Sequence, residues 1–166
     1  MPVKNPKELF VLLLSHVRQG TERSEEVFRE LGEIAQHPEI AEALKARAFV
    51  TQRTLEKLDE AFRLIGEKPV ALSGRLQDVF VEDFRRELAE IQSPEAKRLF
   101  VLATANRLIH LRIGEYVALV AAADVSGNYG VGVLVESCLA DTLAFVERTR
   151  RLIRNIVETR VAARSA

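Results

Sequence analysis

The sequence predicts an all-α fold, a bundle of four long helices with a long crossover that contains a short extra helix. Three observations carry this. Apolar residues recur at three-and-four spacing along four long stretches. Asn5-Pro6, His37-Pro38 and Ser93-Pro94 each place a residue at a cap position ahead of a proline suited to the first helical turn. Only eight Gly and five Pro interrupt 166 residues that are 48% hydrophobic and 29% charged, a composition of helical globular chains.

The first helix is expected over residues 6–36. Asn5 can cap it while Glu8, three residues on, reaches back to complete a capping box. Phe10, Leu13, Val17, Val27, Leu31 and Ile34 form its apolar stripe, but Gly20, Thr21 and Ser24 occupy the middle of that inner face. A second helix over 38–65 carries Ile40, Leu44, Ala48, Thr51, Leu55, Leu58, Phe62 and Ile65, and Gly66 closes it as a C′ residue. The short join makes the two an antiparallel hairpin.

Residues 67–76, with Pro69, Ser73 and Gly74, form a linker, followed by a shorter amphipathic helix over 76–91 bearing Val79, Phe80, Phe84 and Leu88. The third long helix, 94–124, directs Leu99, Leu102, Asn106, Ile109, Ile113, Tyr116 and Val120 inward. Residues 126–130 break it, and the fourth, 130–161, aligns Leu134, Cys138, Asp141, Phe145, Leu152 and Ile156. Two hairpins joined by one long crossover give the ferritin-like topology rather than a simple up-down-up-down bundle. Residues 1–166 are expected to form a single domain.

Twenty-four basic and twenty-four acidic residues cancel, so no whole-molecule field recruits nucleic acid or anionic lipid. Arg148, Arg150, Arg151, Arg154, Arg160 and Arg164 spread around the last helix without interleaved aromatics, which reads as a solvated face favoured by the helix dipole. The apolar run over 9–14 is far shorter than the ~20 residues that span a bilayer. Cys138 stands alone, so no intramolecular disulfide forms and it is expected as a small buried hydrophobe. The expected location is the cytoplasm, with neither nucleic acid nor membrane as partner.

The sequence has no Gly-rich phosphate loop, Cys-x-x-Cys, nucleophile elbow or His-Glu-x-x-His, and no catalytic or cofactor-binding residue is expected. A dimetal site in a four-helix bundle needs Glu-x-x-His pairs, and none occurs: His16, His37 and His110 follow Leu13, Ile34 and Arg107 at that spacing. His110 is expected to bridge polar groups at a helix interface. The spacing of Asp141 from Cys138 and Phe145 points it inward, where a carboxylate must be paired or protonated, with Arg47 and Arg112 as its expected partners.

The chain resembles the YciE/YciF ferritin-like stress-protein family over roughly residues 6–155. The resemblance lies in Pro6-Lys7-Glu8-Leu9-Phe10, His37-Pro38-Glu39-Ile40, Leu55-Glu56-Lys57-Leu58, the turn Phe62-Arg63-Leu64-Ile65-Gly66-Glu67-Lys68-Pro69, and the region of Tyr116. It implies a dimetal ferritin-like bundle, often dimeric and tied to stress responses, but the implied ligands are largely replaced. The first-helix glutamate falls at Thr21, with Glu22 beside it, and the second-helix His and Glu fall near Arg47 and Val50. In the third helix the Glu-His-x-Glu stretch becomes Ile109-His110-Leu111-Arg112. In the fourth, Asp141 keeps one acid while the later one falls at Val146 or Glu147.

Guanidinium charge can replace a metal's charge opposite a remaining acid. The relic positions Thr21, Arg47, Asn106, His110, Arg112 and Asp141 are therefore expected to form a polar plug, with Arg47 holding Thr21, Asn106 and Asp141. The expected protein is non-catalytic, stress-associated and homodimeric, with no bound metal and with apolar seams such as 117–123 or 131–135 available for docking. The alternative is an iron or manganese oxidase, peroxidase or iron-handling protein built on Glu22, Glu25, His110, Glu115 and Asp141.

Overall fold

The structure, a computed structural model, describes residues 3–164, with side chains through Glu158. Its elements are α1 (Pro6–Ile34), α2 (Pro38–Ile65), α3 (Arg75–Glu90), α4 (Pro94–Val125) and α5 (Tyr129–Arg164). The boundaries follow the local chemistry. The Asn5 side chain accepts from the Glu8 amide at 2.9 Å, while Glu8 Oε2 reaches one residue past the cap and accepts from the Lys4 amide at 2.8 Å, a variant of the expected capping box. Ser93 caps α4, and Gly66, at φ 69°, ends α2 in the left-handed region that a side chain would disfavour.

α1 packs along α2 and α4 along α5, and the two hairpins close through α1 against α4 and α2 against α5. α3 lies across α1 and α4, inserting Phe84 into the core. The crossover is tied to α1 where the Val70 amide donates to Ser15 Oγ at 2.9 Å and Gln19 Nε2 donates to the Leu72 carbonyl at 3.2 Å. This is the expected four-helix bundle with a helix in the crossover.

The core is not continuous. One apolar cluster gathers Phe28, Leu31, Ile40, Leu44, Leu102, Ile109 and Phe145 at one end. A second gathers Phe10, Leu14, Leu58, Phe62, Tyr116, Leu119 and Val135 at the other. Gly20, Thr21 and Ser24 of α1, Arg47, Thr51 and Thr54 of α2, Arg112 of α4 and Thr142 of α5 are buried between them. The soft middle of the first helix thus belongs to a polar waist to which all four long helices contribute.

α4 and α5 match the expected faces at Leu102, Ile109, Tyr116, Cys138 and Phe145, and the rest of each inward row is shifted around the helix. Ala105, Leu108, Arg112, Leu119 and Ala123 line the interior of α4, where Leu99, Asn106, Ile113 and Val120 are only partly buried. On α5 the inward row is Val131, Val135, Cys138, Thr142, Phe145 and Thr149. Both helices are apolar around much of their circumference, so spacing alone leaves the inward face open by one position, about 100° of rotation. Residues Tyr129–Glu158 are long and apolar enough by composition to cross a membrane, and only 33% of their most apolar window is buried.

Candidate functional site

The waist is built from side chains that a helix interior tolerates only when they are satisfied. Its hydroxyls turn back on their own helices: Thr21 donates to the Val17 carbonyl at 2.7 Å, Ser24 to Gly20 at 2.6 Å, Thr51 to Arg47 at 2.9 Å and Thr142 to Cys138 at 2.7 Å. Such bonds dispose of the hydroxyl protons without needing another helix. They leave each oxygen's lone pairs as the acceptors facing the interior.

Arg112 enters this layer from α4 and is 1% exposed. Its guanidinium lies against α1 at Gly20, where an added Cβ would stand 2.5 Å from Cζ. Nη1 is 2.6 Å from Glu115 Oε2, one helical turn on, but the atoms are not aligned as a hydrogen bond. Burial lowers the arginine's pKa and raises that of Glu115, and the attraction between the two opposes both effects.

Arg47 enters from α2, 2% exposed, with its Cζ 5.6 Å from the ring centroids of both Phe28 and Phe145. Two aromatic faces compensate part of a cation's lost hydration. Nη2 donates to Thr142 Oγ1 at 3.2 Å, and burial again holds the guanidinium pKa down. The Tyr116 hydroxyl lies 3.3 Å from Thr21 Oγ1 and feels both arginines. Burial pushes its pKa up to about 12, and that of the Cys138 thiol up to about 11. Cys138 is buried, as expected of a small hydrophobe.

The structure brings some of the relic positions together and separates others. Thr21, Arg47 and Arg112 are buried in the waist, but Thr21 is held by Tyr116 rather than by Arg47. Asp141 corrects the sequence expectation: its side chain is 49% exposed and pairs with Lys57 at 3.1 Å, because Cys138, Thr142, Phe145 and Thr149 take the inward row. Arg47 senses it only through space. Asn106 is half-buried at the edge and is not held by Arg47; its backbone carbonyl lies 2.9 Å from His110 Nδ1.

His110 is exposed and makes that contact within its own helix, so it neither bridges helices nor faces the interior. The residues of the metalloprotein alternative do not converge. Glu22 pairs with Arg18 and Glu25 with Arg29 on the outer side of α1, while Glu115 faces Arg112. No group of three or more His, Cys, Asp or Glu side chains placed to hold a metal ion occurs among the described residues. Arg148, Arg150, Arg151 and Arg154 are exposed, and the side chains of Arg160 and Arg164 lie outside the described residues.

Sequence reasoning missed Glu115 as the carboxylate of the arginine site, and missed Thr142 and Lys57. One signal was available for Glu115: a glutamate three residues after an arginine shares its side of a helix.

Residues 5–162 match the family described as Domain of unknown function (DUF892). In structure the chain is similar to YciF, a stress protein of E. coli, with a TM-score of 0.88 at 19% identity, covering 94% of this chain and 99% of that one. It is similar also to YcfI from Rhodopseudomonas palustris, with a TM-score of 0.85 at 19% identity over 89% of this chain and 94% of that one. A protein from Xanthomonas campestris pv. campestris matches at 0.72 and 19% identity, over 94% and 99% of the two chains. Among curated proteins none is significantly similar in sequence. At these identities the structural likeness is one of fold, and it agrees with the resemblance to the YciE/YciF proteins: the chain belongs to the DUF892 family.

Proposed function

We propose that this protein is a non-catalytic, ferritin-like bundle that acts by binding or assembly in a stress-associated, cytoplasmic setting, its former dimetal site closed by arginine. The observation that carries this reading is the pair of buried guanidinia, Arg47 and Arg112, in the layer where a metal-handling four-helix bundle gathers inward carboxylates. A metal cation brought within ~4 Å of a guanidinium would meet a repulsion of about 4 kcal/mol per unit of charge at an effective dielectric of 20. The carboxylate that stands beside Arg112, Glu115, is already committed to it. The stress setting is carried over from YciF, a stress protein, alone.

Assembly is proposed as a homodimer. Val117 and Val125 of α4 and Tyr129 and Val133 of α5 are exposed around the same interhelical turn, and much of the apolar length of α5 is left uncovered. Light scattering on the purified chain tests this; a monomer at tens of micromolar would refute it.

The test of the non-catalytic reading is metal content after purification without chelator and exposure to ferrous iron under air. Elemental analysis and the absorbance of an oxo-bridged product are the readouts, with Glu115→Ala as control. No retained metal and no oxidation are expected. About two irons per chain, lost in the control, would replace this reading with an oxidase or iron-handling role.

A further inference from the structure

Away from the waist, a cleft of about 410 Å³ opens between α1 and α3. Glu26 and Glu30 line it from α1 and Asp78 and Glu82 from α3, together with the guanidinium groups of Arg23 and Arg85. Arg85 is engaged by Glu30, its Nε and Nη2 donating to the carboxylate at 2.9 and 2.8 Å. Arg23 is divided, with Nη1 3.4 Å from Glu26 and Nη2 3.5 Å from Asp78. Glu82 makes no ion pair among the described residues. Four carboxylates against two guanidinium groups leave two negative charges in one cleft.

Gln77 is an independent observation at the same place. It lines the cleft from the first turn of α3, is 8% exposed, and its side-chain amide makes no hydrogen bond among the described residues. A buried amide is ordinarily satisfied, so an unpartnered one lining a cavity marks the place of a polar ligand group. Val27 and Val81 give the cleft an apolar wall between its charged groups.

These features select among ligands. The surplus of carboxylates excludes anions. No three Asp, Glu, His or Cys side chains among the described residues are placed to hold a metal ion, so the carboxylates do not converge on a compact divalent cation. Separated negative charges with an apolar wall suit a cation whose own two charges are held apart by hydrocarbon, and the volume is at the small end of ligand pockets.

We propose that the α1–α3 cleft binds a short aliphatic diamine. One ammonium group is taken by Glu82 and the other by Glu26 and Asp78, the carbon chain lies on Val27 and Val81, and the Gln77 amide oxygen accepts from an ammonium N–H. Because α1 and α3 each supply part of the site, the bound diamine ties the crossover helix to the bundle. The site lies outside the waist and does not depend on how the waist is read.

Titration of the isotope-labelled full chain with putrescine at low ionic strength tests this, followed by amide chemical shifts. The comparison cations are n-butylamine, with a single charge, and magnesium, with two charges at one point. Saturable shifts are expected at residues 23–30 and 77–85. n-Butylamine should bind about tenfold more weakly, having lost one charge-assisted hydrogen-bonding group, and magnesium should not saturate over the same range. Glu82→Gln, an exchange at an exposed position, should weaken putrescine about fivefold. Gln77→Leu removes an unpartnered buried amide and should weaken putrescine without lowering Tm. No saturable shift with putrescine, an equal response to magnesium, or unchanged affinity in Glu82→Gln overturns the proposal. Shifts spread over acidic surface outside the cleft overturn it as well, since they would show general charge screening.

Discussion

Gly20 and Arg112 are fitted to one another across the α1–α4 interface: the guanidinium fills the space that a side chain on residue 20 would need. In an exposed helix, replacing Gly by Ala stabilises by roughly 0.5–1 kcal/mol. Here the sign should reverse, since an inserted methyl displaces a buried guanidinium from its place against α1, and overpacking costs about 1–3 kcal/mol. Gly20→Ala is expected to destabilise in urea unfolding, and Gly20→Ala with Arg112→Met to regain most of the loss. Additivity of the two changes would show that the residues do not compete for space.

The same arginine separates two ways of disturbing a buried charge. Arg112→Met removes the cation and leaves Glu115, still 22% exposed, able to hydrate or take a proton. Because Glu115 is partly wet, this exchange should cost about 1 kcal/mol, well below the 3–5 of breaking a fully buried pair. Glu115→Ala leaves the guanidinium with no carboxylate beside it and should cost about 2 kcal/mol, below the 3–5 of a fully buried pair because Glu115 is partly wet. A larger loss for Arg112→Met than for Glu115→Ala would show that the arginine, not its neutralisation, holds the layer together.

Asp141 offers a contrast at the surface. Its partner Lys57 also donates to Ser137 Oγ at 2.6 Å, and both charged groups are substantially solvated. Asp141→Ala should change stability by no more than about 1 kcal/mol, the range of exposed pairs. A loss of several kcal/mol would mean that this carboxylate is the buried counter-ion of Arg47 after all.

That contrast also shows what was legible in the sequence. Helix positions, caps and the crossover could be read because each depends on neighbours in the chain: Asn5 with Glu8, Ser93 with Pro94, Gly66 at its left-handed position. The polar centre of α1 was legible as well, since Gly20, Thr21 and Ser24 interrupt an otherwise apolar stripe. The rotation of α5 was not. Asp141 and Thr142 differ by one step around a helix with apolar residues on several sides, and what selects Thr142 is its bond from Arg47 on another helix. A tertiary contact decided what periodicity left open.

Buried protons in the second apolar cluster should set the alkaline limit of the fold. Cys138 loses its proton near 9.0 when exposed but at about 11 in the native chain, and Tyr116 near 10.0 against about 12, in both cases chiefly because burial disfavours the anion. In each case the native state binds the proton more tightly than the unfolded chain, so stability falls as pH rises between the two values. The loss should therefore begin near pH 9 with the thiol and continue to about 12 with the phenol. For Cys138 alone a shift of about two units corresponds to on the order of 2 to 3 kcal/mol by pH 11. Cys138→Ala should flatten the first part of the decline while lowering stability at neutral pH through the lost packing, and urea unfolding from pH 7 to 11 measures both. If wild type and Cys138→Ala lose stability in parallel between pH 9 and 11, the thiol is ionising in contact with water and the second apolar cluster is less closed than its packing implies.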